Sequence, residues 1–180
     1  MNTLRLTSWL LIVAPIGMFV IWGMLDPMII GEVAEGLTPA EEALGTLQLG
    51  LDNEVLSNIL SLLGGFCWVG IFVGLTLLAR SLQAGGANLG AICSLIFPAM
   101  IAIAIVGFGL SLEATNLLKE GYSENAVSME IISTGVFGAV PMFWGLGVAL
   151  LGLAITRENG HVPATMGWIL ALCGIGMLSG

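Results

Sequence analysis

Few residues in this chain have side chains that can do chemistry, and they are scattered. Asp26, Glu54, Glu113 and Glu130 each border one end of a long apolar run. If those ends converge, the four form an acidic rim around a vestibule; if not, they are solvated helix ends, and spacing leaves both readings open. Seven carboxylates fall between Asp26 and Glu54 without one Lys or Arg. Their spacing is not that of a calcium loop, where ligands recur at alternate positions around a glycine. Cys67, Cys93 and Cys173 sit in separate runs with no C-x-x-C pair, which excludes a redox dithiol or a zinc cluster and leaves buried packing. His161 is the single histidine, too few for bis-histidine haem, and a metal role would need ligands from another chain. No Ser/His/Asp set, phosphate loop or paired intramembrane carboxylate is visible, whereas ion-coupled pumps keep ionisable groups within the membrane. The sequence therefore assigns no catalytic residue, no metal ligand and no cofactor.

The elements that would position these residues are unusually apolar. Of 180 residues, 57% are hydrophobic, 9% are charged and 26 are glycine, against about a quarter charged in a soluble domain. Crossing the hydrocarbon layer takes about 20 apolar residues. Four clear runs qualify, at about 6–25, 55–79, 89–112 and 131–155, with a short fifth at 163–179. They are unbroken, unlike the alternating ten-residue segments of a barrel. The expected fold is all-α, a multi-pass transmembrane helical bundle of four clear spans plus a short fifth, forming one membrane domain over 1–180. The first run lacks a small-x-small cleavage site and reads as an uncleaved anchor.

Orientation follows from the basic residues. Threading five spans puts Arg5, Arg80 and Arg157 on one side and Lys119 on the other. The positive-inside rule then predicts a cell membrane protein with a cytoplasmic N terminus and an external acidic loop at 26–54. Within that loop, Thr38-Pro39-Ala40-Glu41 has capping-box spacing with Pro at the first helical position. Leu37, Leu44, Leu47 and Leu51 follow at helical intervals, predicting a short helix against the membrane face or the bundle roof; a solvated loop is the alternative. Further on, the pattern predicts helix up to Lys119, a stop at Gly121 and a restart near Ser123. The short links at 80–88 and 156–162 make spans two and three, and spans four and five, antiparallel neighbours.

Pro15, Pro98 and Pro141 interrupt spans and free backbone carbonyls, so their kinks are expected to face helices or a cavity. Small-xxx-small pairs at Gly70/Gly74, Gly145/Ala149 and Gly167/Ala171 permit close helix approach. Trp68 and Trp144 each precede a span-ending Arg by twelve or thirteen residues, about 18 to 20 Å along a helix. That places both near mid-membrane, where an indole N–H seeks a polar partner. Trp68, Trp144, Pro98 and Pro141 are accordingly the candidate cavity. The matching "FCWVGIFVGLTLLAR" and "MFWGLGVALLGLAITR" also suggest a parallel hairpin repeat, with chance similarity of apolar hairpins as the alternative.

Several of these features together resemble an uncharacterised bacterial family of six-helix integral membrane proteins, catalogued as a domain of unknown function. The resemblance is carried by "LDP" at 25–27, the acidic loop, "LLAR" at 77–80 and "LLGLAITRENGHVPATMGWILAL" at 150–172. It covers most of the chain and implies no activity, substrate or catalytic residue. Because the family's pattern has a sixth helix, it also implies a member truncated after the fifth.

The functional expectation is a non-catalytic accessory, assembly or sensor component, ahead of a carrier or binding protein for a neutral or apolar small molecule, and further ahead of a membrane enzyme. Its expected partners are the lipid bilayer and either a membrane protein or further copies of itself, with no nucleic acid.

Overall fold

The computed structural model describes residues 3–158 and 163–178. His161 lies outside the described residues. Among them no strand occurs, and the elements run α1 (Thr3–Val20), a π-helical turn (Ile21–Leu25), α2 (Asp26–Ile29), α3 (Pro39–Asp52), α4 (Glu54–Arg80), α5 (Ala87–Lys119), α6 (Ser123–Thr156) and α7 (Ala164–Leu178). Four continuous stretches are long and apolar enough to cross a membrane: Thr3–Ile29, Glu54–Arg80, Ala87–Lys119 and Ser123–Thr156. The apolar α7, of 15 residues, is shorter.

Local sequence explains where the helices start and stop. Thr38 caps α3 through a complete capping box: the Glu41 N–H donates to the Thr38 hydroxyl at 3.4 Å, and the Thr38 N–H donates to the Glu41 carboxylate at 2.8 Å. Asn53 alone separates α3 from α4; its N–H closes α3 on the Leu51 carbonyl, and its own carbonyl accepts from Ser57 N–H at 2.9 Å. At the end of α5, Gly121 takes φ +89°. The Tyr122 N–H then reaches the Leu117 carbonyl at 2.9 Å and the Gly121 N–H the Leu118 carbonyl at 3.1 Å, a Schellman stop directly after Lys119. The expected break at Gly121 and restart at Ser123 are therefore present. In the first stretch the helix runs on past Leu25. Pro27 removes one donor from its ladder, and the register loosens into the π turn, where the Asp26 N–H bonds Ile21.

The chain divides into two compact units, and each long helix contributes a segment to both. The first unit comprises Met1–Ile12, Val69–Ala102 and Ala139–Gly180; the second, Val13–Trp68 and Ile103–Gly138.

In the first unit, Phe72, Phe97, Met100, Leu151 and Ile155 form a core with almost no exposure. Lipid tails are as apolar as leucine, so packing and backbone approach hold such helices together. The approach is closest between α6 and α7. A Cβ at Gly145, Gly152 or Gly174 would run into the facing backbone of Gly174, Ala171 or Ala149 respectively. These positions include the small-xxx-small pairs of spans four and five, which pack against each other. Gly74 likewise admits Leu10 and Leu11 of α1, and Gly90 of α5 meets the Ala79 carbonyl of α4.

In the second unit, Gly64 and Gly107 make room for aromatic rings instead. The Trp22 ring occupies the place a Cβ on Gly64 would take, and the Phe137 ring lies 2.7 Å from that position on Gly107. The buried Ser133 hydroxyl donates to the Gly107 carbonyl at 3.0 Å, linking α6 to α5. The helix α3 buries Ala43 and Leu47, and Leu47 packs with Ala114 of α5 and Ala126 of α6. Of the expected arrangements for the leucine stripe, α3 adopts packing on neighbouring helices.

Candidate functional site

The four residues of the candidate cavity have different surroundings. Trp68 is buried in the second unit, its ring centroid 6.2 Å from that of Trp22, which is 6.0 Å from Phe108. Phe108 in turn meets Phe137 edge-on at 5.2 Å. Trp144 is half-buried in the first unit, edge-on to Phe72 at 5.4 Å, and Phe72 lies 6.2 Å from Phe97. Both tryptophans thus face other rings of their own unit, at separations where aromatic pairs attract. Pro98 and Pro141 are exposed on α5 and α6. Sequence reasoning missed Trp22 and Phe72; the only signal for Trp22 was its position one turn before Pro27.

The two hairpins of the suggested repeat also diverge. Cys93 is fully buried and its Sγ lies 3.6 Å from the Gly147 carbonyl, whereas Cys173 is exposed. Cys67 is half-buried, its Sγ 2.8 Å from where a Cβ on Gly17 would stand.

The acidic rim resolves into four different situations. Asp26 is half-buried at the start of α2, and Glu113 is exposed. Glu54 pairs with Lys119 at 2.6 Å, both largely exposed, joining the start of α4 to the end of α5. Glu130 is different: only 8% of its surface is exposed, and one carboxylate oxygen is buried without a hydrogen-bond partner. It lies on α6 with Ile131 and Thr134 along a cavity of about 130 Å³, whose opposite wall is Pro39, Glu42, Ala43 and Thr46 of α3. Those α3 positions recur at i, i+3, i+4 and i+7, one face of a helix. The sequence showed that α3 was amphipathic but not which side chains it would cover, so Glu42, Thr46 and Thr134 were missed.

Glu158 shows the contrasting arrangement, in the first unit. Its carboxylate accepts from the backbone N–H groups of Gln83 (3.1 Å), Ala84 (3.0 and 3.1 Å) and Gly86 (3.1 Å) in the α4–α5 link. The Gln83 bond leads in holding its carboxyl below the ordinary carboxylate range; desolvation, next in size, opposes it, and the Ala84 and Gly86 bonds add to it. The Thr38 hydroxyl, then its N–H, does the same for Glu41. Glu158 also borders a cavity of about 490 Å³ with Thr3, Thr7, Leu77, Ser81 and Ile155. Thr7 is buried there but spends its hydroxyl hydrogen on the Thr3 carbonyl at 2.9 Å.

Comparison with protein-family models, with curated proteins and with solved structures gives no match to this chain.

Proposed function

We propose that the chain is a non-catalytic component of a cell membrane, serving as an accessory, assembly or sensor subunit. The observation that carries this reading is the filling of the interior. Both tryptophans face rings of their own unit. The interior hydroxyls of Thr76 and Ser133 donate to the carbonyls of Phe72 and Gly107. Such an interior supports a scaffold that displays surfaces to lipid or to a membrane-protein partner. The resemblance to a six-helix bacterial family belongs to the same proposal and adds no activity to it. A second reading, a binding protein for a neutral or apolar molecule, is favoured by the cavity of about 490 Å³ beside Thr3, Thr7 and Ser81, a volume in the usual range of small-molecule sites.

Extraction with a lipid-retaining polymer, followed by mass spectrometry, separates the two readings. A stoichiometric protein partner supports the subunit. A lone chain retaining a small molecule contradicts it and supports the binding protein.

The proposed orientation has the N terminus in the cytoplasm and residues 26–54 outside, supported by the distribution of Arg5, Arg80 and Arg157 against Lys119. An impermeant thiol reagent applied to intact cells should label a cysteine introduced at Gln48 and spare one at Gln83. The reverse pattern overturns the orientation.

A further inference from the structure

The buried carboxylate of Glu130 has no counter-charge that the chain can be seen to supply. The second unit contains one basic residue, Lys119, and its ammonium is engaged by Glu54 at 2.6 Å. The remaining bases, Arg5, Arg80 and Arg157, belong to the first unit. A carboxylate oxygen removed from water without a partner is costly, and a charge-assisted hydrogen bond from a cation offsets that cost.

The cavity beside Glu130 specifies the kind of cation. Two acidic residues, Glu42 and Glu130, and two hydroxyl-bearing residues, Thr46 and Thr134, are among those that line it. The Thr46 hydroxyl donates its hydrogen to the Glu42 carbonyl at 2.9 Å, leaving its oxygen as an acceptor. The polar wall is thus rich in acceptors and suits a donor with several N–H groups. Calcium takes six to eight oxygens, and no group of three His, Cys, Asp or Glu able to hold a metal occurs among the described residues. The rest of the wall, Pro39, Ala43 and Ile131, is apolar and suits a short hydrocarbon stem over a hydrated ion. We propose that the cavity between α3 and α6 binds a primary ammonium group on a short apolar stem, with Glu130 and Glu42 as its counter-charges. That group is carried either by a free small amine or by an ethanolamine lipid headgroup.

The test is calorimetric titration of the full-length protein in dodecyl maltoside with n-propylammonium chloride at fixed ionic strength. Saturable binding to one site is expected. Glu130→Gln should weaken it at least tenfold and Glu42→Gln several-fold. Glu35→Gln, which neutralises an exposed acid of the same unit outside this cavity, should leave it unchanged. Thr134→Leu keeps both carboxylates while filling the cavity and should also weaken binding, so the proposal stays testable should Glu130→Gln not fold. Tetramethylammonium, which has no N–H, should not compete. Nanodiscs identify the source. If adding phosphatidylethanolamine to phosphatidylcholine raises the apparent Kd for propylammonium, the site takes the headgroup; if it does not, the site takes free amines. Absence of saturable binding overturns the proposal, as does equal weakening by Glu35→Gln or equal competition by sodium.

Discussion

Glu158 of the first unit and Glu130 of the second are carboxylates that the chain treats in opposite ways. The first unit holds Glu158 alone against Arg5, Arg80 and Arg157; the second holds the other eleven acids against Lys119. Glu158 accepts three backbone N–H groups of the α4–α5 link, donors that would otherwise lack partners in so short a turn. Glu130 has a buried oxygen that nothing in the described chain serves. A carboxylate satisfied from within fastens a loop, whereas one left unsatisfied within an acidic region calls for a partner from outside. Gly145, Gly152 and Gly174 of the first unit admit facing backbone, whereas Gly64 and Gly107 of the second admit aromatic rings.

The largest expected effect lies at the α6–α7 contact. Gly174→Leu drives a side chain into the Ala149 backbone, and overpacking of this kind costs about 3 kcal/mol. Gly135→Ala in the second unit meets open space and should be neutral or slightly stabilising. Unfolding from maltoside by added dodecyl sulfate compares the two. Equal costs would show that the close contact is not what holds α7.

A smaller effect is expected at α3. Thr38→Ala removes both the hydroxyl that caps the helix and the contact holding Glu41, which costs about 1 kcal/mol. Amide exchange over residues 39 to 50 should quicken about fivefold. Unchanged exchange would mean that packing of Leu47, not the cap, sets the stability of this helix.

The smallest effect is one of pH. The carboxyl of Glu158 is held below its ordinary range in the folded chain, so its stabilisation is complete above the unfolded-state pKa. It fades as pH falls from the ordinary carboxylate range through the lowered folded value. The advantage of the wild type over Glu158→Gln in unfolding midpoint should therefore shrink on acidification. An advantage that grows as pH falls would reverse the sign and contradict the assignment.

How much of this was legible in sequence depended on range. The Thr38 to Glu41 box and the Lys119-Glu120-Gly121 stop were readable because three or four adjacent residues determine them. The α6–α7 contact was readable in part: Gly145/Ala149 and Gly167/Ala171 were visible as spacings, but that they face each other was not. The bonds to Glu158 were not legible, because they join residues more than seventy positions apart. Glu130 was read as one of four similar helix-end acids. Its burial depends on α3 folding back beside α6, and no local pattern records which side chains a distant helix will cover.

The most direct test of the contrast is a paired comparison of Glu158→Gln and Glu130→Gln at pH 7, by unfolding of the ligand-free protein in maltoside and dodecyl sulfate. Both changes remove one charge and keep shape. Glu158→Gln should lower the unfolding midpoint, because it weakens three bonds from backbone N–H groups. Glu130→Gln should leave the midpoint unchanged or raise it, because it relieves a buried charge without a partner. A fall for Glu130→Gln as large as that for Glu158→Gln would mean that Glu130 already has its partner within the chain, and would contradict the account.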